Sequence, residues 1–174
     1  ESVPPELVAL LEMIPSDHLQ HLMDLLAEER AAASRRLTRM LIERFVKETW
    51  DPSFVFERMH NEQAGVLCDI LRATSRALPD KVLAEAIQLI DHSALEVQMQ
   101  VLWVLESSDD EVLVEKTMLQ MLGSNFTDVR VRVLDFFRDY GTQAVFGPIR
   151  DMVEHHATRG ITIRECEAAG NVMA

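Results

Sequence analysis

The chain has 174 residues, a formal net charge of −12 from 29 acidic against 17 basic side chains, and an apolar share of 48%. That length suits one domain with a substantial buried core, and that composition excludes a disordered tail. No run of about 18 uninterrupted apolar residues is present to cross a bilayer, and a strongly acidic chain repels phosphate backbones, so membrane insertion and nucleic acid are set aside.

Gly and Pro number only six each, while Leu, Met, Ala, Glu and Arg are abundant, a balance that favours helix. Cys68 and Cys166 form no CxxC motif. They read as buried thiols in a reducing compartment, the cytoplasm, with a disulfide between them as the alternative. No basic–apolar–small leader opens the chain, and Glu1 is no initiator, so the reading expects a processed chain or a piece of a longer one.

In chain order, Leu7, Leu10, Leu11 and Ile14 form one helical stripe between Pro4-Pro5 and Pro15. Ser16 or Asp17 then caps a second helix with Leu19, Leu22, Met23, Leu25 and Leu26 on its buried side. A break at Ala31–Ser34 precedes a helix with Leu37, Met40, Leu41 and Phe45 in register. Trp50-Asp51-Pro52 is a stop and restart, followed by a short helix through Phe54, Phe56 and Met59. Asn61 caps a helix whose stripe is Leu67, Cys68, Ile70 and Leu71, and Pro79 opens another that runs to Ile90.

Three S/T-x-x-E capping boxes are expected at Ser93–Glu96, Ser108–Glu111 and Thr162–Glu165. Gly123, Gly141 and Gly160 stand where helix C-termini call for a left-handed residue. The alternation Val129-Arg130-Val131-Arg132-Val133 imitates a strand, but it runs into LDFFRDYG at helical spacing and is assigned to helix. Pro148 falls inside a helical stretch and predicts a kink or a late start there.

The apolar pattern repeats. Val97, Val101, Leu102 and Leu105 shifted by 32 residues become Val129, Val133, Leu134 and Phe137; Ala86, Ile87, Leu89 and Ile90 become Met118, Leu119, Met121 and Leu122. A shift of 31 carries Met118, Met121 and Leu122 to Ile149, Met152 and Val153. Over 64 residues, Pro15, Leu19, Met23, Leu25 and Leu26 fall on Pro79, Leu83, Ile87, Leu89 and Ile90.

On these residues, above all Thr127–His155 (TDVRVRVLDFFRDYGTQAVFGPIRDMVEH) and Pro79–Leu105, the chain resembles the HEAT-repeat family. The resemblance implies an all-α fold, a right-handed α-α superhelix of about five helical hairpins running as one solenoid over 1–174. A single hairpin of ~30 residues cannot bury its stripe alone, so hairpins stack on a shared core. The last stretch, ITIRECEAAGNVMA, is a first helix without its second. The reading therefore expects a segment of a longer array, with self-association through that truncated end.

No catalytic constellation stands out. His18 and His21 have the spacing of a ligand pair without a completing set, and Glu154-His155-His156 reads as the solvated end of a helix. Hydroxylases on the HEAT scaffold hold iron with His-Glu pairs, and this chain has no such dipeptide. No metal or cofactor is expected. Trp103 is expected to pack between hairpins, and of the neighbours Phe136 and Phe137 one is expected to be exposed. The basic groupings are Arg35, Arg36, Arg39 and Arg130, Arg132, Arg138, both interleaved with apolar positions.

The resulting expectation is a non-catalytic scaffold that binds a protein or peptide, and a basic one given the charge, on the concave face of the second helices. The face residues are Lys81, Glu85 and Gln88, then Glu115 and Gln120, then Arg150 and Glu154. The alternatives are an enzyme or enzyme subunit, such as the lyases that attach chromophores with HEAT arrays, and a regulatory or spacer segment of a larger signalling or secretion protein.

Overall fold

The computed structural model describes Met13, His18, His21 and residues 32–49, 63–154 and 160–173. Among these the chain is all-helical: eight α-helices, one 3-10 turn and no strand. It divides into two compact units, Glu1–Glu85 and Ala86–Ala174. The helices expected before Ala31 and through Phe54–Met59, with Trp50 and His155-His156, lie outside the described residues.

In the first unit, α1 (Ala32–Thr49) packs on α2 (Ala64–Ala77). The break expected at Ala31–Ser34 is not there from Ala32 onward; these small residues have no reason to interrupt a helix that gains packing downstream. Ile42 and Val46, four apart, are fully buried, as are Ile70 and Leu71 on α2. Thr74, in the last turn of α2, donates its hydroxyl to the Ile70 carbonyl at 2.8 Å and so is buried without an orphaned polar group. Pro79 opens α3 (Pro79–Ile87), which carries the unit boundary between Glu85 and Ala86. That helix ends at Ile87 rather than Ile90, and Leu89 is buried from the turn that follows.

The second unit contains α4 (Leu95–Glu106), α5 (Glu111–Met121), α6 (Thr127–Tyr140), the 3-10 turn Gln143–Val145, α7 (Phe146–Glu154) and α8 (Ile163–Met173). Helix α6 touches α4, α5 and α8; α7 touches α8. The repeating stripe is the core. Val97, Val101, Leu102 and Leu105 are buried, as are Val129, Val133, Leu134 and Phe137 at the shifted positions, with Met118 and Ile149 on α5 and α7. Each such side chain contributes roughly 1.5–3 kcal/mol by leaving water. The 3.6-residue period of a helix places positions i, i+4, i+5 and i+8 on one side, which is why this pattern was readable without coordinates.

The ends of these helices depart from expectation. Ser93 caps nothing: α4 starts one residue later, and the Ala94 N–H donates to His92 Nδ1 at 3.1 Å. At α5 the cap is Asp110, whose Oδ1 accepts from Leu113 N at 3.1 Å, while Ser108 Oγ accepts from Asp110 N at 3.2 Å. A carboxylate at a helix N-terminus also meets the positive end of the dipole, which favours it over the serine two residues earlier. The third box forms as expected. Glu165 Oε2 accepts from Thr162 N at 2.7 Å, and Thr162 Oγ1 accepts from Glu165 N at 3.4 Å.

Gly160 has the left-handed φ of 65°, but Gly123 and Gly141 do not. Gly141 sits at φ −69°, ψ 144°, and is required for another reason: a Cβ there would lie 2.6 Å from the Phe137 carbonyl oxygen and 3.1 Å from Val145 Cγ2. Pro148 is in the first turn of α7, the late start that its missing N–H tolerates. Trp103 is 39% exposed rather than packed away. Its Cα follows Leu102 by one residue, about 100° around the helix from the buried stripe. Cys68 and Cys166 are half-buried rather than buried and form no disulfide.

Candidate functional site

Helix α6 has two working faces. One is the core stripe. The other presents Arg132, Asp135, Phe136, Asp139 and Tyr140 at i, i+3, i+4, i+7 and i+8, and it faces the end of α4 and the start of α5 across a groove of about 780 Å³. Pockets that hold organic ligands or peptide side chains span roughly 300–1,000 Å³.

Two ties set the width of this groove. Arg132 lays its fork on Glu106, with Nε to Oε1 at 2.7 Å and Nη2 to Oε2 at 2.6 Å, joining α6 to the last residue of α4. Bidentate geometry of this kind fixes orientation as well as distance. From α5, Glu115 accepts twice from Thr142, from its N–H at 2.9 Å and its hydroxyl at 3.0 Å, anchoring the bend that leaves α6. Glu106 drives the already basic Arg132 guanidinium still higher, and Arg138 holds the Asp139 carboxyl below its ordinary range by donating to both oxygens, at 2.9 and 3.1 Å.

Its apolar part comes from both walls. Phe136 and Tyr140 stack in a tilted pair with ring centroids 5.2 Å apart, and Tyr140 is 73% exposed. Val112, on α5, is 82% exposed and lines the same groove. Five carboxylates line it (Glu106, Glu111, Glu115, Asp135 and Asp139) against two guanidiniums, both already paired with acids. This arrangement offers ring faces, a β-branched anchor point and carboxylate acceptors.

Of the residues expected on a binding face, Glu115 lies in this groove. Lys81 and Glu85 belong to the first unit, and Gln88 follows α3 in the turn. Gln120 is exposed on α5 but does not line this groove. Arg150 and Glu154 are exposed on α7 and face each other at 3.7 Å. Tyr140, Val112 and Glu106 were not picked out from the sequence. The signal for Tyr140 was present in the run Arg132, Phe136, Tyr140 at four-residue steps, along one edge of the core stripe.

The basic groupings are largely neutralised. Arg130 and Arg132 pair with Glu165 and Glu106, Arg138 with Asp135 and Asp139, and Arg39 with Asp69 at 3.2 Å. His18 and His21 are exposed, and among the described residues no three His, Cys, Asp or Glu side chains converge as metal ligands would. Nor, among these residues, is any helix long and apolar enough to cross a membrane. No family model, curated protein or solved structure matches this chain.

Proposed function

We propose that the chain is a helical-repeat interaction module of HEAT type, non-catalytic, which receives a basic segment of a partner protein in the groove between α6 and the α4–α5 hairpin. The observation that carries this reading is the pairing of exposed Tyr140 with half-buried Phe136, together with exposed Val112, inside a rim of carboxylates. Exposed aromatic anchors with charged surroundings are the usual chemistry of peptide recognition. The excess of acid over base selects Lys- or Arg-rich sequence, and an arginine of the partner can lie on the Tyr140 ring. The HEAT assignment draws support from the 32-residue register, whose equivalent positions are equivalently buried in α4 and α6. Glu85 in the first unit, and Gln88 and Arg150 in the second, are proposed as further contacts of the same kind.

The test is fluorescence anisotropy with basic peptides that carry one apolar anchor, against acidic peptides of the same length. Basic peptides bind the parent chain and lose affinity to Tyr140→Ala and Asp139→Lys. Tyr140 is so exposed that its loss leaves the unfolding midpoint nearly unchanged. Equal binding of acidic peptides, or indifference to both substitutions, rules the groove out. Glu85→Lys and Glu115→Lys, made separately, test the contribution of each unit in the same way.

A further inference from the structure

We propose that the first unit holds a second, oppositely charged site: a pocket that takes a small molecule bearing two or more phosphate groups. It lies between α1 and α2 and has a volume of about 370 Å³. Helix α1 lines it with Arg36, Arg39 and Glu43, at i, i+3 and i+7 of one face, and α2 lines it with Arg72 and Arg76, one turn apart. These are the spacings that put side chains on one strip of a helix, so the packing of α1 on α2 brings the two strips together. Four guanidiniums and the Glu43 carboxylate therefore line one small space. That carboxylate is itself held by Lys47 at 2.8 Å.

In a chain of net charge −12 this pocket has an arginine-rich lining. Several guanidiniums around one space offer a compact multivalent anion N–H donors from both helices at once. Arg39 is set in place from behind: its Nη1 lies 3.2 Å from Oδ1 of Asp69, a carboxylate only 6% exposed. A guanidinium has five N–H donors, so an arginine braced on one side still presents donors to a ligand, in the planar fork that matches phosphate oxygens.

The size of the pocket and the charge of the chain narrow the ligand. A volume near the lower end of the roughly 300–1,000 Å³ of small-molecule sites suits a short phosphate chain with a modest organic part, and Met40 and Ala73 supply a small apolar wall for it. An extended polyanion meets the negative field of the whole chain. A compact one senses only charges within a screening length of about 8 Å, where arginine dominates. The site is independent of the peptide groove, being of the other sign and in the other unit.

Titration calorimetry on the full chain, near physiological ionic strength, tests this with inorganic pyrophosphate and ADP as probes. Saturable one-to-one binding is expected, weakened about tenfold or more by Arg72→Gln and by Arg76→Gln, a loss well resolved in Kd. Arg164→Gln leaves binding unchanged, because that guanidinium sits on Asp128 in the second unit at 2.9 Å. Binding of both probes assigns recognition to the phosphates alone, and binding of ADP only assigns part of it to the Met40–Ala73 wall. Should Arg72→Gln unfold the chain, the exposed Arg36 and Arg76 provide Gln variants read against the parent's unfolding midpoint. The proposal is overturned if neither probe saturates, if sulfate binds as well as pyrophosphate, or if the folded Arg76→Gln and Arg36→Gln variants keep the parent's affinity.

Discussion

Gln98 on α4 and Arg130 on α6, 32 residues apart, occupy the same position of the repeat and tie it together in the same way. Each donates to the carbonyl oxygen six residues before it: Gln98 Nε2 to His92 at 2.8 Å, Arg130 Nη1 to Ser124. Each also reaches forward. Gln98 Oε1 accepts from Ser124 Oγ at 2.6 Å, and Arg130 Nε donates to Glu165 Oε1. The result is one polar chain from the turn before α4, through the turn before α6, to the cap of α8. Buried amide and guanidinium groups are satisfied along it, and the turns before successive helices are locked to one another.

The Arg130–Glu165 pair is the most sensitive link. Glu165 has a fully buried side chain that also closes its own capping box, so Glu165→Ala is expected to destabilise the second unit by about 3 kcal/mol, the size found when one partner of a buried pair is removed. Urea unfolding measures it. A double substitution, Arg130→Met with Glu165→Leu, is expected to lose less than the sum of the two single changes, because no charge is stranded.

The same carboxylate predicts a pH dependence. Burial alone raises its pKa, but the bonds from Arg130 and Thr162 outweigh burial and hold it below the ordinary 4.5. A group with a depressed folded-state pKa stabilises fully above its unfolded-state value and ceases to do so as pH falls through the folded-state one. The stability difference between the parent chain and Glu165→Gln is therefore expected to be constant at neutral pH and to shrink below about pH 4.5. Denaturant titrations at a series of pH values follow it.

Two glycines are expected to respond in opposite directions to alanine. Gly141→Ala places a methyl 2.6 Å from a backbone oxygen that cannot step aside, and should destabilise by about 1–3 kcal/mol. Gly170, inside α8 with nothing within 4 Å of an added Cβ, should gain up to about 1 kcal/mol from the better helix former. Thermal melts of the two variants distinguish them.

Glu115→Ala removes both acceptors of Thr142 at an exposed bend. A loss of about 1 kcal/mol is expected. Faster hydrogen exchange at the Thr142 amide, with the amides of α4 unchanged, confines the effect to that bend.

Core and surface are separated by Leu102 and its neighbour. Leu102→Ala should cost about 2–5 kcal/mol, as a fully packed leucine does, and Trp103→Ala clearly less, since that ring is 39% exposed. Equal losses would mean that Trp103 is buried after all, and paired unfolding curves decide between the two.

The residue order of this chain determined its helical class and most of its core. Period 3.6 burial follows from backbone geometry alone, so Val97, Val101 and Leu105 announced their own fate and that of Val129, Val133 and Phe137. The Thr162–Glu165 box was equally legible, because all its partners lie within one turn. Ser93 and Ser108 match the capping pattern but cap no helix: the Ala94 N–H goes to the neighbouring His92 ring, and Asp110, two residues after Ser108, takes the Leu113 N–H, choices made by the path of each turn. Tertiary structure alone decided that Gln98 and Arg130 meet Ser124 and Glu165, that Tyr140 faces Val112, and that Arg36 and Arg39 meet Arg72 and Arg76. Those encounters join helices tens of residues apart. Local spacing says which strip of a helix a side chain occupies, but what that strip faces is set by packing.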